Sequence, residues 1–105
     1  MSTQELGCGA WGNLEVADGK VQKICDQVKP KAEEMAHQDF PIFESMSYRS
    51  QLVAGTNYLI KVFVNNPRHH PYVLLRVYQS LKSTVELIDI KTGMTKDDPI
   101  DPSNF

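Results

Sequence analysis

The side chains best suited to act as nucleophile, base or metal ligand are few: Cys8, Cys25, His37, His69, His70 and the carboxylate pair Glu33-Glu34. The adjacent His69-His70 pair lacks the i, i+4 spacing that puts two imidazoles on one helix face around a metal. No cysteine stands in an arguable spacing to a histidine and an orienting Asn or Asp, as nucleophilic catalysis requires. Glu33-Glu34 is expected to be a solvated helix face rather than an acid–base dyad. Catalysis, a metal site and a cofactor are therefore not expected. A different chemistry stands out at Gln51-Leu52-Val53-Ala54-Gly55. Three apolar side chains lie where the chain is expected to turn, at positions that Asn, Asp or Ser usually hold. Gly55 can supply a positive φ there. Leu81 repeats the anomaly at a second turn. Apolar loop tips are the mark of a binding surface, although a buried strand running straight through 51–55 would give the same pattern.

The elements that must carry these loops are set by hydrophobic period. Val21, Ile24, Cys25, Val28, Ala32 and Met35 recur in steps of one, three and four, the stripe of an amphipathic helix over about residues 18–37. Pro30 falls inside it. The period continues on both sides, which predicts a kink rather than a break. Cys25 lies on the stripe and is expected to be a buried, inert thiol, with Cys8 exposed. Beyond the helix the pattern turns to β: a strand is expected from Phe40 to Arg49 and another from Thr56 to Val64, with Tyr58, Ile60, Val62 and Val64 on one face. Asn65 to Pro71 is a turn, Tyr72 to Gln79 a strand with Val73, Leu75 and Val77 on one face, and Ser80 to Thr84 a turn. A short strand from Val85 to Ile90 comes next, a further one is expected at Asn13–Val16, and the tail looks irregular. One helix and consecutive hairpins make an α+β domain, a helix laid on an antiparallel sheet.

The bulk numbers agree. The 105 residues suit one domain, 1–105, and 41% apolar residues are enough for one core. The net charge is −2 and the basic residues are scattered, so no footprint for nucleic acid or acidic lipid exists. The first ten residues have no basic start and no apolar run, unlike a signal peptide, and no stretch approaches a membrane span. Two cysteines are too few for a disulfide framework, which suits a cytoplasmic protein. Gly7, Gly9 and Gly12 suggest a flexible arm over residues 1–12, within which Trp11 is expected to pack on the domain.

In a meander successive turns alternate between the two ends of the sheet. Loops 51–55 and 80–84 then share one end, and a strand near residues 13–16 pairing antiparallel would bring Gly9 there as well. Three segments thus converge on one edge, with the arm's path the step that depends on helix tilt.

At this point the segments resemble a known family. Gln51-Leu-Val-Ala-Gly55, continuing into Thr56-Asn-Tyr-Leu-Ile-Lys-Val62, is similar to the Gln-x-Val-x-Gly hairpin of the cystatins. Cys8-Gly9-Ala10, Asp26 to Glu34 with Pro30, and Arg76-Val-Tyr-Gln-Ser-Leu81 resemble the corresponding segments of the intracellular branch, the stefins, and the chain ends in Phe105 as they tend to. The resemblance implies a cystatin-like fold, a five-stranded antiparallel sheet wrapped around one long helix. It also implies reversible, tight, non-covalent inhibition of papain-like cysteine proteases of the cathepsin type, with a wedge made by Gly9, by Gln51, Leu52, Val53, Ala54 and Gly55, and by Leu81 with Lys82. Lys82 stands where stefins usually carry Pro, and Ile90 where they usually carry Tyr. Altered selectivity is expected from the first. The alternative is a non-inhibitory interaction module using the same edge. The chain is expected to be mainly monomeric, with a domain-swapped or Cys8-linked dimer as the variant forms.

Overall fold

Asp18 starts the helix. In the computed structural model, which describes residues 10–66 and 70–105, its carboxylate accepts from the Val21 backbone N–H at 3.0 Å, an N-cap that satisfies one of the first-turn donors. The helix α1 runs Gly19–Ala36 and continues through Pro30, whose ring faces solvent. It ends where His37 takes the left-handed conformation (φ 57°). Val21, Ile24, Cys25, Val28 and Ala32 are buried, as their spacing predicts. Burial, and then the neighbouring Asp26 carboxylate, push the Cys25 thiol up to about 12. Two side chains tie the helix to the segment that leads into the sheet. Glu33 accepts from the Phe40 N–H at 2.8 Å, so of the pair Glu33-Glu34 only Glu34 is a solvated group, bridged to Lys31 at 3.0 Å. Gln22 donates to the Phe43 carbonyl at 3.0 Å and accepts from the Ser45 N–H at 2.8 Å.

The strands are β1 Glu15–Val16, β2 Glu44–Val53, β3 Gly55–Phe63, β4 Tyr72–Gln79 and β5 Val85–Met94, paired antiparallel in chain order. Several expected boundaries move: β1 starts at Glu15 rather than Asn13, β2 runs on from Arg49 to Val53, and β3 is Gly55–Phe63 rather than Thr56–Val64. β2 starts four residues later than its expected start at Phe40, because Phe40 and Phe43 stack on each other at 5.6 Å in the core below the helix. β5 runs on past Ile90 to Met94, which pairs with Tyr72. The expected arm 1–12 is also shorter at its inner end, since Trp11 bridges to Gln51 and the Gly12 N–H donates to the Ser50 carbonyl at 2.7 Å.

Both faces of the sheet are covered. On one, Tyr58, Ile60, Val62, Val73, Leu75 and Val77 pack against the helix stripe, with Phe40 and Phe43 closing one end. On the other, Leu59 and Leu74 pack with Met94 and Ile100, flanked by Trp11, Tyr72 and Phe105. The tail, expected to be irregular, thus contributes a second small core and closes in a short 3-10 turn, Pro102–Asn104. Lys61 points to this second face. Its buried ammonium donates to the carbonyls of Thr95 (3.2 Å), Lys96 (3.0 Å) and Asp98, and lies 5.7 Å over the Tyr72 ring. Desolvation lowers its pKa against the opposing pull of Asp98 and Asp97.

Candidate functional site

The β2–β3 hairpin closes as tightly as the chain allows. Val53 pairs with Gly55, so Ala54 alone lies outside the strands. Gln51, Leu52 and Val53, read from sequence as part of a five-residue turn, are therefore the last rungs of β2; a strand running straight through is excluded. Gly55 is required twice over. Its φ is +102°, and a Cβ there would stand 2.4 Å from the Gln79 carbonyl oxygen and 2.7 Å from the Tyr78 hydroxyl. The end of β4 presses on the hairpin at this point, with Thr56 paired to Gln79. The Tyr78 hydroxyl donates to the Ala54 carbonyl, and Asn57 Nδ2 donates to Gln51 Oε1 at 2.9 Å. The tip is thus braced on the one face that Gln51, Asn57 and Tyr78 share, while Leu52 stays 68% exposed.

The β4–β5 hairpin is built around Ser80. Its N–H donates to the Thr84 carbonyl at 2.9 Å, and its Oγ accepts from the Lys82 and Thr84 N–H groups, both at 3.2 Å. Ser83 absorbs the reversal with φ 67°. These local bonds leave Leu81 at 81% exposure, with Lys82 exposed beside it. Two apolar tips presented on hydrogen-bonded turns lose little freedom when they dock, which favours binding.

Trp11 forms a bridge to Gln51, which puts Trp11 itself beside the first hairpin. Gly9 lies outside the described residues, two positions before Trp11; Cys8 and His69 lie outside them too. The other titratable candidates are elsewhere: His37 ends the helix and His70 is an exposed residue with φ 75° in the opposite turn. Among the described residues no group of three or more His, Cys, Asp or Glu side chains is arranged to hold a metal ion.

Sequence reasoning missed the residues that support the tips. Tyr78, Asn57 and Ser80 were visible as strand and turn residues, but their roles depend on which rung faces which across β3 and β4. The one available signal was parity: Tyr78 alternates with Val77, so it had to leave the helix-facing core for the other face.

A family model described as the cystatin domain matches residues 9–85. Among the similar proteins is a Sus scrofa protein named leukocyte cysteine proteinase inhibitor 1, 39% identical over 103 residues that cover 95% of this chain and 97% of the relative. Cystatin-B of Homo sapiens is 40% identical over 96 residues, covering 89% and 95%. Cystatin-B of the fish Paralichthys olivaceus is 40% identical over 98 residues, covering 93% and 97%. With the helix-on-sheet fold, the Gln51–Gly55 hairpin and this extent of similarity together, the chain belongs to the cystatin family.

Proposed function

We propose that this protein is a reversible, non-covalent inhibitor of papain-like cysteine proteases, of the cathepsin type, and not an enzyme itself. The observation that carries the reading is the single edge on which Trp11 meets Gln51 while Leu52 and Leu81 stand 68% and 81% exposed on braced hairpin tips. A wedge of this shape enters a cleft. Its contacts are Gln51 to Gly55 in the middle, Leu81 and Lys82 on one side, and Gly9 on the other. Leu52 and Leu81 supply most of the gain, since burying one such side chain fully is worth roughly 1.5–3 kcal/mol.

Occlusion without cleavage has its cause in the geometry of the tip. A protease thiolate needs a carbonyl held about 3 Å away on an attack trajectory. The carbonyl at the tip, that of Ala54, is engaged by the Tyr78 hydroxyl within the inhibitor's own fold. That bond fixes the peptide unit in a one-residue turn between Val53 and Gly55, so a thiolate under the hairpin does not meet a carbonyl laid along the cleft as an extended substrate would present it. The whole chain acts as one inhibitory domain, and the cytoplasm is the setting that suits its reduced thiols.

Stoichiometric titration of active papain tests the reading. Inhibition at close to one inhibitor per enzyme, reversed on dilution with the inhibitor uncut, is the expected result. Full papain activity in the presence of micromolar protein would sink it.

A further inference from the structure

The apolar tips account for how tightly the edge can dock, but not for which cleft it prefers. Among the described residues at that edge, Trp11, Gly12, Gln51 to Gly55 and Gln79 to Thr84, only Lys82 carries a charge. The charged groups next along the strands are placed differently. Arg49 donates to the Gly12 carbonyl at 2.8 Å and to the Ile100 carbonyl at 3.1 Å, and Glu86 pairs with Tyr78 one rung below the second turn. Among the described residues Lys82 forms no ion pair. Its backbone is nevertheless ordered. The Ser83 N–H donates to the Ser80 carbonyl and the Ser80 N–H to the Thr84 carbonyl, both at 2.9 Å, so Leu81 and Lys82 are the two central residues of the reversal. Ser80 Oγ also accepts from the Lys82 N–H at 3.2 Å. The turn therefore presents one apolar and one cationic side chain side by side, both exposed.

We propose that Lys82 sets the specificity of the edge: it selects cysteine proteases whose cleft wall carries an Asp or Glu carboxylate where the second hairpin docks, and it disfavours those with Lys or Arg there. The proposal rests on the inhibitory reading of the edge and names the class of target within it. When Leu81 enters a cleft, the neighbouring Lys82 is carried to the wall with it. An ammonium brought there without a partner loses hydration and gains nothing in return. Its four-carbon stem can lie along the apolar wall while the head reaches a carboxylate at the rim. A cationic rim offers no such partner and repels the charge, and like charges set against each other at an interface are a means of rejecting wrong partners. Because no second charge on the described edge offsets it, the sign of this one residue decides the sign of the preference.

The test measures inhibition constants of the full chain against two cathepsin-type proteases, one with Asp or Glu on that wall and one with Lys or Arg. Lys82→Glu is compared with Lys96→Glu, which has the same net charge. Lys96 is exposed, and its carbonyl meets Lys61, six residues along β3 from Gly55 and so about 20 Å from the tip. Lys82→Glu should weaken inhibition of the acidic-walled enzyme about tenfold and strengthen that of the basic-walled one roughly threefold, with Lys82→Gln between parent and Lys82→Glu on both. Lys96→Glu should move neither constant by more than about twofold. A shift in the same direction on both enzymes would overturn the proposal, as would constants unchanged by Lys82→Glu. Equal effects of Lys82→Glu and Lys96→Glu would overturn it too, since long-range attraction rather than a contact at the wall would then be at work. The two readings fail in different ways: a parent chain that inhibits neither enzyme ends the inhibitory reading itself, whereas a parent that inhibits both, with variants indifferent to wall charge, ends only the role of Lys82.

Discussion

Tyr78 has one hydroxyl and one task at the hairpin tip. It holds the Ala54 carbonyl, and its ring fills the space that a Cβ on Gly55 would need. Tyr78→Phe keeps the ring and removes the bond, so the fold should survive with a small drop in melting temperature. Papain inhibition should weaken roughly three- to tenfold, the worth of about 1 kcal/mol of tip order. An inhibition constant equal to the parent's would take Tyr78 out of the account. Gly55→Ala is the harsher change, because a φ of +102° and a 2.4 Å approach to the Gln79 carbonyl both oppose it. Urea unfolding should show a loss of more than about 1 kcal/mol, together with weaker inhibition. Leu81 separates binding from folding. At 81% exposure it contributes almost nothing to the fold, so Leu81→Ala should leave the urea midpoint in place. Its loss from a protease cleft should still raise the inhibition constant about tenfold. Equal inhibition by parent and variant would mean that the second hairpin does not enter the cleft.

At the scale of the element, the helix was the most legible part of the chain. Its stripe, its Asp18 start and the burial of Cys25 are all readable from spacing and type, because a helix is local and its partner face needs only to be apolar. Pro30 is the exception to local logic. The helix runs through it because the packed stripe on both sides outweighs one lost N–H donor to the Asp26 carbonyl. Since the ring faces solvent, Pro30→Ala should fit without a clash and restore that bond. Stability should therefore rise, by about 1–3 kcal/mol in chemical denaturation; a loss would mean that the proline shapes the helix in a way the sheet depends on. Cys25 gives the same element a pH signature. Its folded pKa is raised from 9.0 to about 12, so above pH 9 the unfolded chain releases a proton that the folded chain keeps. Stability should fall as pH rises from about 9 towards 12, and Cys25→Ala should flatten that slope on the alkaline side of a melting profile. The strands were legible where the apolar run was long. Tyr72–Gln79 has the bounds expected from its sequence, whereas β2 and β5 shifted at ends where Phe40, Phe43 and Met94 pack against distant partners.

At the scale of the molecule, the second layer remained hidden. Leu59 and Leu74 sit between core residues on their strands, and such unbroken apolar runs mean burial on both faces without saying what covers the far one. The cover comes from the chain's two ends, Trp11 and residues 94–105, which no periodicity connects. The same reason hid Tyr78, whose role exists only once rungs are paired, while the hairpin sequence itself was readable because its chemistry lies within five consecutive residues. Lys61 tests how much the second layer depends on polar ties. Its three carbonyl partners hold the loop from Thr95 to Asp98, yet the lowered pKa says that burial makes the ammonium less comfortable there than in water. Lys61→Met removes both effects, and they oppose each other. The carbonyls of Thr95, Lys96 and Asp98 lie near the surface and can turn to water, so the global loss should be only about 1 kcal/mol. The local consequence should be larger, because these three bonds tie that loop to β3. Amides from Thr95 to Ile100 should exchange with solvent at least about tenfold faster than in the parent, while those of Ile60 and Leu75 keep their protection. Uniform acceleration across both faces would instead make Lys61 a support of the whole sheet rather than the latch of its second layer.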